Sequence, residues 1–358
     1  MISPSESVKA PPLVSVVLLN YNGRKFASLW ESLFYEGYSE KEIVFVDNGS
    51  QDESGLEFEK LANRFPQVRT RIIRLPENVG YSAGNNAGFA VADGEIVCLL
   101  SNDIKVSENW ISPVVQLFTQ DPSIAVVQSR QFRLASPEEE DDPTNLLDPF
   151  GSNHVIGPIG NDPPYFRDVF YAEGAVMFVR KVAVSEAGYL FPPDYFMSFE
   201  DADLCWRLRL RGSRCVVSTK SVVYHARGGT EPGKFLRKKP RLVSLGTRNR
   251  LATLFTNYSL RSTMLYLPIA ILIEFGKAVG LLLRGYALQS RSIVEGVGLF
   301  LSSLPLLIKR RRVVQSDRTV DDRAIMAEML NPIVGLKRTI GYWKPMISDL
   351  RAQTRTDS

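Results

Sequence analysis

The stretch FMSFEDADLCWRLRLRG, residues 196–212, places three carboxylates, Glu200, Asp201 and Asp203, within four positions, after an aromatic run and ahead of Arg207, Arg209 and Arg211. Like charges this close repel one another and raise a carboxyl pKa unless a cation or a ligand occupies the gap. A carboxylate raised in this way suits proton abstraction near neutral pH. Part of the cluster has a structural explanation: on a helix Asp203 and Arg207 stand one turn apart and can pair, with Leu204, Cys205 and Leu208 turned to the core. Glu200 and Asp201 would then sit at the helix start, where the macrodipole favours negative charge. That explanation leaves the aromatic wall before the acids unused.

Two further segments carry chemistry. Ser101-Asn102-Asp103 follows the apolar run CLL as a short acidic turn. Its oxygen donors suit Mg²⁺ or Mn²⁺ bridged to a diphosphate, or else the cap of a following element. From Asn78 to Gly88 the sequence NVGYSAGNNAG spaces Gly80, Gly84 and Gly88 four apart. This is neither GxGxxG nor GxxxxGK[ST]. It sets bare backbone along one helix face, open to a flat ligand or to close packing on a strand.

The elements that must position these groups alternate. Apolar β-branched runs at 13–20, 42–47, 71–75 and 95–100 read as buried strands, separated by helical patterns at 24–38, 52–65 and 81–92. Such alternation predicts parallel βαβ units in a doubly wound α/β sheet, whose ligands gather at the carboxyl ends of the strands. Three of those ends carry polar clusters: Asn20-Tyr21-Asn22-Gly23, Asp47-Asn48-Gly49-Ser50 and Ser101-Asn102-Asp103. Residues 135–168 read as a long aperiodic loop that orders on binding, and 169–180 and 214–224 as further strands.

The succession VSVVLLNYNG, VFVDNGSQD, NVGYSAGNNAG, LLSND, FEDADLCWRLRLRG and YHARGGT resembles the family 2 glycosyltransferases of the GT-A fold. It is most similar to the bacterial branch that adds rhamnosyl or galactofuranosyl units to lipid-linked glycans, over residues 13–260. The resemblance implies a Rossmann-like, mostly parallel twisted sheet with flanking helices. It also implies an inverting transfer from a nucleoside-diphosphate sugar to a hydroxyl of a lipid-linked glycan in cell-envelope polysaccharide synthesis. The alternative is a catalytically silent nucleotide-sugar-binding or scaffolding subunit. By the same resemblance Asn20, Tyr21, Asn22, Asp47, Asn48 and Ser50 look like the pocket for base and ribose, with Asp47 accepting from the base. Asn78, Gly80, Gly84, Asn86 and Asn102 look like the segments that close on the nucleotide-sugar. Asp103 matches the last Asp of a DxD metal motif whose first position is here Ser101, so His225 gains weight as a second ligand to a divalent cation, Mn²⁺ or Mg²⁺. Asp201 matches the catalytic base, with Glu200 orienting a substrate.

The remaining sequence bounds the setting. At 358 residues, 44% hydrophobic and 23% charged, the chain is long enough for a sizeable core. Three cysteines without CxxC spacing and two histidines argue against a disulfide framework and a structural zinc site. No basic segment precedes an apolar one at the start, so a signal peptide is not expected and the catalytic part is expected in the cytoplasm. Residues 1–12 read as a disordered N-terminus, 261–312 as membrane-associated or hairpin helices, and 313–358 as a charged helix, centred near 323–336, and tail. Between Glu231 and Arg312 stand 15 Lys or Arg against three Glu, which points to an acidic partner or surface. With 264–283 broken by Glu274 and Lys277, no run reaches the ~20 apolar residues of a membrane span. Interfacial helices on the cytoplasmic face of an inner membrane are expected instead, a buried hairpin or a homo-oligomer contact being the alternative. The basic cluster Arg237-Lys-Lys-Pro-Arg241 lacks aromatic interleaving, so no nucleic-acid partner is expected.

Overall fold

A computed structural model describes residues 10–141, 145–155, 157, 159, 165–227 and 240–339. The expectation for residues 1–9, the tail beyond 339 and most of the basic cluster at 237–241 falls outside them.

The near-continuous apolar runs form the strands expected of them. β1 (Val14–Asn20) lies buried between parallel β2 (Lys41–Asn48) and parallel β4 (Ile96–Ser101), and β3 (Arg69–Leu75) extends β2 at the edge. The 24–38 pattern does not make one helix. It gives a 3₁₀ turn and two single turns, α1 (Ala27–Trp30) and α2 (Ser32–Tyr35), which lodge Trp30, Leu33 and Phe34 against the sheet. α3 (Ser54–Asn63) and α4 (Gly80–Val91) complete the βαβ units.

Beyond β4 the sheet is mixed. β5 (Ile104–Val106), α5 (Ser112–Gln120), β6 (Ile124–Arg133), β7 (Asn145–Leu147), β8 (Asn153–Val155), β9 (Phe166–Asp168), β10 (Val176–Arg180), α6 (Lys181–Glu186), α7 (Glu200–Leu210) and β11 (Arg214–His225) follow. The order across the sheet is β3-β2-β1-β4-β10-β6-β11-β5, with β9 on β11. β10 runs antiparallel between β4 and β6, and β11 runs parallel to β6. The apolar stretch 169–180 is therefore not one strand: it breaks at Ala172-Glu173-Gly174-Ala175, ahead of β10. The loop 135–168 is ordered in its described parts, where Glu140 bridges to Phe132.

Four helices follow: α8 (Pro240–Asn257), α9 (Leu260–Leu282), α10 (Ala287–Ser302) and α11 (Leu304–Ser316); then come α12 (Asp322–Ala327) and a helical stretch at 332–339 in place of one helix near 323–336. They are continuous with the core beneath the sheet, since Leu251, Leu254, Val297, Phe300, Leu307 and Met329 join Val17, Val46 and Trp206 in one buried cluster. The three cysteines are free and buried.

α9 corrects one expectation. It is an unbroken 23-residue helix, long and apolar enough by length and composition to cross a membrane, with 22% of its apolar window buried. Glu274 does not interrupt it, because it turns inward to Arg250 at 2.5 Å and to Lys277 at 2.9 Å. The outer face is left with exposed Met264, Leu272, Val279 and Leu283.

Candidate active site

Register explains why distant residues meet. In the β1–β2 ladder Asn20 stands opposite Asp47, and in the β1–β4 ladder Leu19 stands opposite Ser101, so the three polar strand ends share one edge. β5 pairs with β11 antiparallel with Ile104 opposite His225, which delivers Asp103 beside the imidazole. Ser101 N–H donates to the Ala175 carbonyl at 2.9 Å, tying the break before β10 to the same edge.

The amides at this edge are bonded mostly to one another. Asn20 is fully buried; its Nδ2 donates to Ser54 at 2.7 Å and Ser50 at 3.1 Å, while its Oδ1 accepts from Asn102 at 2.8 Å. Asn22, at φ +49°, accepts from Gln51 N–H and donates its own N–H to Ser50 Oγ. Asp47 accepts the Ser50 N–H at 3.1 Å. Asn48, 2% exposed, donates to Asn78 and to the Gly80 carbonyl and accepts the Val79 N–H, while Asn78 accepts the Gly80 N–H. Asn48 and Asn78 thus build the start of α4. Tyr21 is exposed at the rim.

Two residues proposed from sequence as ligand contacts have other partners. A Cβ on Gly84 would stand 2.6 Å from Leu19 Cδ1, so that position serves close packing of α4 on the sheet. Asn86 exchanges hydrogen bonds with the Phe191 backbone, at 2.9 and 3.1 Å. Gly80 differs: at φ +90°, with a Cβ position 2.4 Å from the Phe196 carbonyl, it lets the aromatic run before the acids close on α4, where Tyr81 N–H donates to that carbonyl at 2.7 Å.

The acids occupy the expected helix start. Asp203 pairs with Arg207 at 2.8 Å, and Arg207 also caps the carbonyls of Tyr189 and Leu190. Arg207 and Arg209, 2% and 4% exposed, are both held inside the fold. Glu200 and Asp201 remain without a cationic partner among the described residues. Glu200 is 6% exposed and its Oε2 lacks a hydrogen-bond partner among the described residues; burial, then the neighbouring Asp201, pushes its carboxyl well above the ordinary range. Asp201 accepts N–H groups of Ala202 at 2.8 Å and Gly174 at 3.1 Å. Burial outweighs those bonds and, with Glu173 nearby, lifts it to about 6. Ser198 and Phe199, immediately before, both have positive φ, at 78° and 69°. Asn249 of α8 holds this turn by donating to the Met197 and Ser198 carbonyls at 3.0 and 2.9 Å.

On the other side His225 Nε2 lies 3.3 Å from Asp103 Oδ2, and Nδ1 lies 3.4 Å from Asp141 Oδ2. Burial lowers the imidazole pKa, but the two carboxylates outweigh it and hold it up at about 9. Arg227 binds Asp141 at 2.6 Å and approaches Glu173 at 3.9 Å; Gln131 donates to Glu173 at 3.0 Å. Through Glu173 and Gly174 this network reaches Asp201. Asp141, Glu173, Gly174 and Asn249 were not found from sequence. The available signal was Glu173 itself, an acid inside the apolar stretch VFYAEGAVMFVR.

Asp103 and His225 fit a divalent cation in a limited sense. They offer one carboxylate and one imidazole, the latter backed by Asp141 in the carboxylate–histidine manner of metal ligands. No group of three or more acidic, histidine or cysteine donors arranged for a metal occurs among the described residues. That suits an ion which draws its other ligands from substrate phosphates and water.

Residues 15–184 match the profile of Glycosyl transferase family 2. That segment resembles a family 2 glycosyltransferase domain. Among curated proteins, the pre-mycofactocin glycosyltransferase of Mycobacterium tuberculosis is 26% identical over 183 residues, 51% of this chain and 37% of its own length. Glycosyltransferase GlyG of Streptococcus pneumoniae is 30% identical over 118 residues, 32% of this chain and 38% of its own. The chain spans about two fifths or less of the length of these relatives. In fold it is similar to GalNAc-T7, solved with UDP, GalNAc and Mn²⁺, at TM-score 0.58 and 14% identity over 72% of this chain and 50% of that one. It is also similar to the mannosyltransferase PcManGT of Pyrobaculum calidifontis, solved with GDP-Man and Mn²⁺, at TM-score 0.51 and 15% identity over 84% of this chain and 90% of that one. The architecture is GT-A, with a helical C-terminal region added.

Proposed function

We propose that this chain transfers a glycosyl group, with inversion, from a nucleoside-diphosphate sugar to a hydroxyl of a lipid-linked glycan, with Asp201 as the base. The observation that carries this reading is the Glu200–Asp201 pair: two buried adjacent carboxyls without a cationic partner among the described residues, one lifted to about 6, at the start of a helix that follows the segment matched by the family 2 profile. Ionised Asp201 takes the acceptor proton as the oxygen attacks the anomeric carbon. Glu200, whose neutral form is favoured, donates a hydrogen bond that orients a substrate. A silent nucleotide-sugar-binding subunit would gain nothing from keeping these groups destabilised.

Asp103 and His225 would hold a divalent cation, which stabilises charge on the departing diphosphate. Binding it requires His225 to give up its proton. The strand-end turns with Tyr21, Asp47 and Ser50 frame the nucleotide, and the sugar is rhamnose- or galactofuranose-like. The uncovered apolar face of α9 and the bend of 64° between α10 and α11 support a peripheral seat on the cytoplasmic face of a membrane. Asp201→Asn tests the reading: donor binding persists and transfer is lost, whereas near-normal transfer would remove Asp201 from the role of base. Flotation with anionic liposomes tests the seat, and a chain that stays with the unbound fraction would sink it.

A further inference from the structure

Behind the strained turn lies a cavity of about 910 Å³, bounded by Ser198 and Phe199, by α8, α9 and α10, and by β8. Its walls are of two kinds. Leu242, Val243, Ile293 and Phe199 supply hydrocarbon, while Arg250, Glu274 and Lys277 supply buried charge. Two cations share one acid: Arg250 lies 2.5 Å and Lys277 2.9 Å from the same Glu274 oxygen. Arg338 adds a third positive group to the lining. The nearby acid Asp148 is already occupied by the N–H groups of Phe150 and Ser152 and by His154 at 2.9 Å.

Arg250 is 4% exposed, yet its Nε has no hydrogen-bond partner among the described residues, and its bond to Ser152 is long, at 3.4 Å. A buried guanidinium with donors in reserve is costly unless an anion receives them, and its planar fork suits phosphate oxygens. A free anion has no use for the hydrocarbon beside it, and a neutral lipid has no use for the cations.

We propose that this cavity seats the carrier lipid of the acceptor, its phosphate held by Arg250 and Lys277 and its chain laid against Leu242, Val243 and Ile293. Assigning the lipid to the acceptor rests on the transferase reading above. Binding an anionic amphiphile does not. Ser198 and Phe199 connect the two functions, since the turn that closes the cavity is also the one that sets Glu200 and Asp201.

The test is titration calorimetry of the full chain with farnesyl phosphate, farnesol and inorganic phosphate. Farnesyl phosphate is expected to bind at least about tenfold more tightly than either of the others, because charge-assisted bonds add to apolar burial. Lys277→Gln and Arg250→Gln should each weaken it about tenfold or more. Arg250 is buried enough that its variant can misfold, so a plug gives the second route. Gly246 lines the cavity and a Cβ there meets nothing within 4 Å. Gly246→Phe should abolish binding and Gly246→Ala should not, with circular-dichroism melting curves checking both folds. Equal affinity for farnesol, equal affinity for inorganic phosphate, or unchanged binding by Gly246→Phe would each overturn the proposal. Lipid binding without any transfer would leave the lipid site standing and remove the transferase reading; transfer with a plug-insensitive lipid affinity would do the reverse.

Discussion

The strand-end edge and the start of α7 are built on opposite terms. At the edge, Asn20, Asn22, Asn48, Asn78 and Asn102 satisfy one another or nearby backbone, so the frame is set before any ligand arrives. At the acid turn, two consecutive non-glycine residues adopt positive φ, at about 1–3 kcal/mol each, and a Glu200 oxygen has no hydrogen-bond partner among the described residues. The strand-end edge is held by mutual satisfaction, whereas the acid turn is held against its own preferences by α8. Strain that persists in a fold is where function is sought.

Removing the acid's charge is the hardest way to break that comparison. Asp201→Asn should lower transfer by about 10²–10⁴-fold with donor affinity unchanged in calorimetry. It should also stabilise the fold. A carboxyl whose folded pKa is raised to about 6 from an ordinary value near 3.8 favours the native state while protonated, and loses that contribution as pH rises through about 6. At pH 8 the Asn variant should therefore melt above wild type, with the gap closing towards pH 4; a lower melting temperature at pH 8 would show that Asp201 is a structural acid.

The same shift sets a pH profile. Base catalysis needs the ionised form, so kcat/KM for the acceptor should fall about tenfold per unit below about pH 6, and the Asn variant should lack this limb. A limb that persists in the variant would assign it to another group.

How much of this was legible in the sequence depended on range. The strands β1 to β4, the polar clusters at their ends and the Asp203–Arg207 pair follow from patterns spanning a few residues, and they stand where the periodicity put them. β10, Asp141 and Glu173 do not, because an antiparallel insertion between β4 and β6 is decided by pairing across some 80 positions. Gly84 and Asn86 show the limit from the other side: residue type was compatible with ligand and packing alike, and only the neighbouring Leu19 and Phe191 distinguish them. In α9, Glu274 read as an interruption because its partner Arg250 lies on another helix.

Asn249 offers a smaller perturbation from the scaffold side. Asn249→Ala removes two bonds to the carbonyls before the acids, at about 2–3 kcal/mol for a fully buried amide. If the turn is held by α8, kcat should drop about tenfold while donor affinity stays within about twofold. Equal losses in both would mean that α8 supports the whole edge, and the two regions would no longer be distinct.

The mildest test lies at the strand-end edge. In Gly84→Ala the new methyl enters a contact 2.6 Å from Leu19 Cδ1 and 3.3 Å from Asn48 Nδ2, an overpacking of about 1–3 kcal/mol. Alanine regains up to about 1 kcal/mol of helix propensity, leaving a net loss of about 1 kcal/mol in chemical denaturation. Because the glycine faces the sheet, donor affinity should not change. Tenfold weaker donor binding at unaltered stability would instead place a ligand against α4, and the edge would then depend on its substrate rather than on its own amides for hydrogen bonding.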